Sequence, residues 1–468
     1  MRPSLVVPLA AGAVFGALAT IQAVSDTDLW WHLATGQQTL AHGLARTDTF
    51  AWTIVGRPVL LDQWLGDVLI ALAYAAGSWH GVIALRALAV ALLVTLVVGA
   101  ALAERPGRPL LALLAALPAI MLSRSAYGDR PQLEGYVLFA ALIWLLRAGQ
   151  KGSLPALVAT APLLALWSNL HGSSALGLGL ILIVLAERAL RDGAFRRTAA
   201  LLAVAALFAT LLTPAGFGSW ASSGGHFLAP PRYIEEEGVP NLRSVPGLIF
   251  ALVLALVLGT AFLGRGARRA EAALLLPVAF VSLTAARHMP FFAIAAAPYL
   301  AAEGPAALAW LARLARLAGI SARVPDASPA RSSWQVDVAA AALAALVLSV
   351  AAAAAPGDPD ESFYPRGALA ALPRGPGLLN AYDWGGWLIW NAPDTPVFID
   401  GRLFPFVPDV LADYRSIVGL HSDWRAVLGR RGVRALLLRP TDAAAVRARE
   451  TGWTVVASGP DFVLLARP

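Results

Sequence analysis

Cysteine is absent from the 468 residues, which excludes structural disulfides and thiolate metal sites and leaves the compartment open. Charge is scarce too. Asp, Glu, Lys and Arg make up 14% of the chain against 58% hydrophobic residues, and mean hydropathy is +0.66, so a soluble globular chain is excluded and a multi-spanning membrane protein is expected. The formal net charge is +7, yet no basic patch forms. The arginines fall in short clusters between apolar runs, the pattern of cytoplasmic loops rather than of a nucleic-acid surface. The lipid bilayer is therefore an expected partner and nucleic acid is not. Internal repeats are lacking, and low complexity is confined to Ala-rich runs such as Ala351–Ala355. Met1-Arg2 before an apolar run has the form of a signal peptide, but Ile21-Gln22-Ala23 is a poor cleavage site, and an uncleaved first span is expected.

Apolar runs near 5–24, 81–103, 109–122, 133–147, 154–168, 172–189, 199–213, 246–263, 270–286, 290–302 and 336–355 predict about eleven transmembrane helices, some short or tilted. The run 64–78 is the doubtful one, because counting it as a span reverses the side of every later loop. Charge arbitrates. With 64–78 in the interface, the clusters Arg105/Arg108, Arg147/Lys151, Arg191/Arg196/Arg197, Arg265/Arg268/Arg269 and Arg313/Arg316/Arg323/Arg331 all face the cytoplasm. This places the N-terminus inside, the C-terminus outside, and the chain in an inner or plasma membrane. The cytoplasmic loops then read as simple connectors. Residues 1–355 form the membrane domain with a large external loop at 25–65, and 356–468 form a small extracytoplasmic α/β domain. In that tail Val397–Ile399, Ala435–Leu438, Thr454–Val456 and Val463–Leu465 read as buried strands, with helices at Val407–Ile417, Trp424–Leu428 and Ala443–Glu450.

The external loops hold nearly every unusual polar residue. Ionisable groups gathered on one face of a helical bundle are a functional-site hypothesis, since burying them without partners costs several kcal/mol each. The first loop opens with Ser25-Asp26-Thr27-Asp28-Leu29-Trp30-Trp31-His32, whose two carboxylates suit a hard divalent cation that would grip phosphate. The alternative is a solvated loop with an aromatic anchor. Leu29–Leu40 predicts an interfacial helix with Trp30, Leu33 and Leu40 toward lipid and His32 and Gln37 toward water, ended by His42-Gly43.

Four external pieces resemble, in order, the motifs of oligosaccharyltransferase catalytic subunits. Asp26–His32, running on to Ala41-His42-Gly43, resembles E-x-D-P-W-F-N followed by a His-Gly. Ser123-Arg124-Ser125-Ala126-Tyr127-Gly128-Asp129 resembles S-R-S-x-A-G-x-x-D-N-E, with Arg130 and Pro131 in place of the Asn and Glu. Ile234–Pro240 is similar to T-I-x-E-x-x-P, with Glu237 three before the proline. Tyr382–Ile389 followed by Ile399-Asp400-Gly401 is similar to W-W-D-Y-G-Y-W-I followed by A-D-G, lacking the first tryptophan and the tyrosine that complete the acceptor-sequon motif.

The resemblance implies the C superfamily of membrane glycosyltransferases (GT-C), which take a sugar from a polyprenyl-phosphate or polyprenyl-diphosphate carrier on the outer face. The acceptor stays unknown, and protein N-glycosylation is put in question by the altered sequon motif. Such transfer needs the leaving phosphate neutralised, and Mg²⁺ or Mn²⁺ held by Asp28, Asp129 and Glu237 would do this as a Lewis acid. Asp26 is either a further ligand or the base that takes the acceptor proton. Arg287, at the outer end of a span, clamps the phosphate or is an interfacial anchor.

Arg124, Trp384, Asp400 and Arg402 stand in the matching motifs as candidate substrate-binding residues, Asp400-Gly401-Arg402 also reading as a loop-shaping turn. Arg130 and Gln132 bind sugar or phosphate, or hold Asp129 in an ion pair. His171, in Asn169-Leu170-His171-Gly172, ligates metal, touches substrate, or is structural beside a capping Asn. Two other function classes remain: a transporter or flippase of lipid-linked glycans, which would place polar groups at mid-span, and a catalytically inactive assembly protein.

Overall fold

A computed structural model of the chain describes residues 2–228, 235–263, 269–317 and 331–468. Of the residues named above, Met1, Ile234, Arg265, Arg268 and Arg323, and the side chains of Arg2, Glu235, Arg313, Arg316 and Arg331, lie outside this description. The chain divides into two compact units. The first comprises Met1–Gln22, His80–Tyr127 and Pro131–Ala355; the second comprises Ala23–Trp79, Gly128–Arg130 and Pro356–Pro468. The first external loop, the residues after Tyr127 and the tail thus share one unit, which is how motifs far apart in sequence come together.

The first unit is helical. All eleven apolar runs fall in helices, and among the described residues three helices are long and apolar enough to cross a membrane: Trp64–Glu104, the stretch Pro109–Ala126, and Trp334–Ala353. Close packing rests on small residues, as it must where lipid removes any hydrophobic drive between helices. In the Val6–Ala19 helix, a side chain at Gly12 would collide with Thr95 and the backbone of Ala91, and one at Gly16 with Ala87 O and Leu348. Pro109–Ser123 buries Ala112, Ala115, Ala116 and Ala119, spaced as one helical face, against Met289–Leu317. Outward-facing Leu114, Leu201, Phe208, Leu252, Phe280, Leu343 and Val350 are exposed, an apolar surface suited to lipid.

The structure adds to three sequence expectations here. The run 64–78 is a helix of its own: the stretch Trp64–Glu104 is broken at Gly77 and at Ser78, whose φ is 53°, before the helix that holds 81–103. The unit boundary falls at this break. The expected loop 214–246 contains a further helix, Phe217–Leu228. The connectors at the Arg147/Lys151 end are more than links: Arg147 Nε bonds Glu104 at 2.9 Å, its Nη atoms bond Glu271 at 2.9 and 3.1 Å, and Lys151 reaches Glu104 at 2.8 Å. These pairs join three helices.

In the second unit the tail forms a four-stranded sheet: β1 (Leu378–Asn380), β2 (Ala435–Leu438), β3 (Thr454–Ser458) and β4 (Val463–Ala466), ordered β1-β2-β4-β3. β1 is parallel to β2, and the other pairs are antiparallel. Helices Asp409–Val418, Trp424–Arg431 and Ala443–Glu450 follow the expected pattern. Two strand expectations are corrected. Val397–Ile399 is extended but makes only an isolated bridge from Val397 to Ala51, because the first loop rather than a strand lies beside it. β3 is a largely exposed edge strand with a bulge at Val455/Ala457, not a buried one.

Candidate active site

The Leu29–His42 helix positions the first motif. Asp28 is its N-terminal flanking residue, its carbonyl accepting from His32 N at 3.2 Å, and Gly43 ends the helix with φ 82°. Asp26 Oδ1 accepts from Asp28 N at 2.8 Å, an Asx turn that sets both carboxylates on one side. The helix does not lie with Trp30 in lipid and His32 in water. Trp30 is buried, donating Nε1 to Tyr364 Oη at 2.8 Å with Trp79 edge-on, and His32 Nδ1 is 2.6 Å from Asp67 Oδ1, both buried. The amphipathic pattern failed because the tail helix Gly385–Asn391 packs on this face.

Arg130 closes the constellation. Its Nε forms an ion pair with Asp26 Oδ2 at 3.0 Å, and its Nη1 donates to Asp28 Oδ2 at 3.2 Å. Trp31 Nε1 donates to Asp28 Oδ1 at 3.2 Å. All four carboxylate oxygens therefore have a nitrogen partner. Two glycines wall the pair: any side chain at Gly128 would strike Asp26 Oδ2, and any at Gly401 would strike Asp28 Oδ1. Asp129 turns the chain between Gly128 and Arg130 with φ 63°, a left-handed conformation that Asp tolerates better than most residues, and its side chain is buried. Burial pushes the Asp26 carboxyl up to about 6, with Asp28 adding repulsion and Arg130 opposing.

Beside this pair lies a buried support. Arg402 bonds Asp400 through Nε at 2.7 Å and Nη2 at 2.5 Å and reaches Asp48 Oδ2 through Nη1. Asp48 Oδ1 also accepts from Phe50 N at 3.0 Å and Ala51 N at 2.8 Å, tying the first loop to the Asp400-Gly401-Arg402 turn. Burial works against the Arg402 charge, but Asp400 and Asp48 outweigh it and hold its pKa above the usual range. Tyr382 Oη donates toward Gly401 O at 3.4 Å, so the Tyr382 motif braces the same turn.

The remaining predicted residues divide as follows. Trp384 is fully buried, donating to Phe363 O at 3.0 Å with Arg439 over its ring, and Asp400 is fully buried against Arg402, so both sit in the interior of the second unit. Arg124 is exposed at the start of a short 3-10 turn in the first unit. In that unit Gln132 donates to Tyr136 Oη at 3.0 Å, which donates to Arg287 O at 3.0 Å. Arg287 pairs with the buried Glu237 through Nη1 and Oε1. His171 Nδ1 accepts from Ser173 N at 3.1 Å and lies 2.8 Å from Ser173 Oγ, which takes the Trp167 indole proton at 3.1 Å. That chain fixes the ring as a local brace, while Asn169 bonds the carbonyls of Ala165 and Leu212.

A divalent ion would need the oxygens of Asp28 and Asp129 in the second unit and Glu237 in the first. The oxygens of Asp28 face Trp31 and Arg130, and a dication there would sit against a guanidinium. Among the described residues no group of three His, Asp or Glu is placed to hold an ion. At Asp28, therefore, the neighbours do not suit a dication.

Sequence reading missed Asp48, Asp62 and Asp67. Asp67 did carry a signal, an ionisable residue inside an apolar run.

No protein-family model matches the chain, and no curated protein matches it by sequence. Solved structures match it by fold. The apo oligosaccharyltransferase of Archaeoglobus fulgidus has a TM-score of 0.60 at 12% identity, over 92% of this chain and 69% of that one. ArnT of Cupriavidus metallidurans bound to undecaprenyl phosphate has 0.54 at 17%, over 98% and 97%. The Archaeoglobus fulgidus AglB complex with an inhibitory peptide and a dolichol-phosphate has 0.56 at 13%, over 92% and 69%. Both proteins are GT-C glycosyltransferases, and at these identities the fold is what is shared.

Proposed function

We infer from the GT-C fold that this chain is a membrane glycosyltransferase, moving a sugar from a polyprenyl-phosphate or polyprenyl-diphosphate carrier to an acceptor on the outer face. The single observation that carries the reading is the Asp26–Arg130–Asp28 constellation, walled by Gly128 and Gly401. Undecaprenyl phosphate in ArnT and dolichol-phosphate in AglB support the choice of carrier.

In the proposed step an acceptor X–H attacks the anomeric carbon. The X–C bond forms, the carbon–oxygen bond to phosphate breaks, and its electron pair leaves on the carrier phosphate. Asp26 takes the acceptor proton. A carboxylate titrating at about 6 is ionised at neutral pH and more basic than an ordinary aspartate, which suits that task. Asp28 fixes the Arg130 guanidinium and Trp31, and the Arg402 pairs keep the Gly401 turn against Asp28. The Glu237–Arg287 pair belongs to the same reading as a second place where a phosphate competes for a guanidinium.

The test supplies proteoliposomes holding the full chain with undecaprenyl-phosphate pentoses and hexoses and with an undecaprenyl-diphosphate oligosaccharide, following carrier release by mass spectrometry. Release from one donor class by wild type, lost in Asp28→Asn, is expected. Donor translocated across the bilayer but not consumed would replace this reading with a flippase.

A further inference from the structure

The sequence departs from the motif it resembles at one telling place: Arg130 stands where an Asn follows the metal-binding Asp. The structure puts that guanidinium 3.0 Å from Asp26 and 3.2 Å from Asp28, the two carboxylates of the first motif. We propose that Arg130 takes the place of a divalent cation in this site, so that the chain's own guanidinium, held by Asp26 and Asp28, carries the positive charge that meets the donor phosphate.

Three observations support the substitution. The carboxylate oxygens a cation would take already face nitrogen partners. Gly128, directly before the Asp129–Arg130 turn, brings the backbone so close to Asp26 that no side chain fits, and Asp129 accepts a left-handed φ of 63° to present Arg130. This part of the chain is built to deliver the guanidinium. A planar, permanently charged fork bonds two carboxylates along one side and a phosphate along another, which a bound ion would do with fewer geometric constraints but greater charge. The two aspartates hold the arginine firmly, and a metal ion bound to the same oxygens would sit against the guanidinium.

The proposal rests on reading the site as a sugar-phosphate centre, but its test does not need a donor. Purified full-length protein in detergent is titrated with Mn²⁺ and followed by electron paramagnetic resonance. Wild type is expected to bind no stoichiometric Mn²⁺. Arg130→Asn, which restores the residue of the resembled motif, gains one Mn²⁺ that Asp28→Asn in the same background removes. Arg130→Lys keeps the charge and still excludes the ion, which guards against a result caused by misfolding. Stoichiometric Mn²⁺ in wild type that Asp28→Asn abolishes overturns the proposal, as does a folded Arg130→Asn that takes up no ion. Where a donor is known, transfer is expected to be unchanged in EDTA and to fall about 10²–10³-fold in Arg130→Gln without recovery on adding Mg²⁺. Transfer lost in EDTA overturns it. A protein that excludes Mn²⁺ yet consumes no donor defeats the functional reading alone.

Discussion

Arg130 Nε lies 3.0 Å from Asp26 Oδ2, although a whole span-length of sequence and more separates them. The pairing exists because Gly128–Arg130 belongs to the same compact unit as the first loop and the tail, and not to the helices on either side of it in sequence. A loop of three residues therefore decides the electrostatics of the site.

Asp26 gives the pH dependence its sign. With its carboxyl raised to about 6, the base is protonated in acid, so transfer should rise with pH through a limb near 6 and level above it. Asp26→Asn should remove that limb along with most of the rate. Initial rates between pH 4.5 and 8 check this, and an unchanged limb in Asp26→Asn assigns it elsewhere.

Gly401→Ala and Gly128→Ala should each lower transfer by about 10–100-fold, because the new methyl group must displace Asp28 or Asp26 from its partners. Neither glycine has the positive φ that would make the loss one of backbone strain. Gly429→Ala, in open space on the Trp424–Arg431 helix, is the control and should leave the rate alone. Equal rates in all three would mean the carboxylates have room to spare.

Arg402→Met should destabilise the second unit by about 3–5 kcal/mol, since it leaves Asp48 and Asp400 buried and facing each other without a cation. Adding Asp48→Asn should restore part of that loss. Chemical unfolding of the three proteins tests the coupling, and additive effects would show that the residues act independently.

Asp62 bears on stability with the opposite sense to an ordinary paired carboxylate. Burial, with Asp67 adding repulsion, raises it to about 6, so its contribution to folding is fully present below its ordinary value of 3.8 and is lost as pH rises through about 6. Asp62→Asn should therefore raise the thermal midpoint at pH 7.5 by several degrees and leave it unchanged at pH 4. A gain that is the same at both values would trace to packing.

The apolar runs made the helices legible, and the order of short motifs made the GT-C fold legible before any coordinates. Hydropathy works here because lipid tolerates no unsatisfied backbone, and a long apolar run meets that demand as a helix, whose backbone bonds lie within the segment. What stayed hidden was tertiary. Nothing in Trp30-Trp31-His32 announces that the tail will cover that face, so a helix that reads as interfacial is packed against Gly385–Asn391. Trp384 stands in an acceptor-like motif yet serves the interior, and Asp48 looks like any loop aspartate until Arg402 arrives from the tail. Arg130 was visible as a departure from the motif, but only the fold shows what the departure brings to Asp26 and Asp28.

The measurement that bears most directly on the whole account is single-turnover consumption of a polyprenyl-phosphate-linked sugar by wild type and Asp28→Asn, reconstituted side by side with EDTA present. The account predicts carrier phosphate released by wild type, with the chelator making no difference, and release slowed by about 10²-fold or more in the variant. Equal release by the two proteins would contradict it.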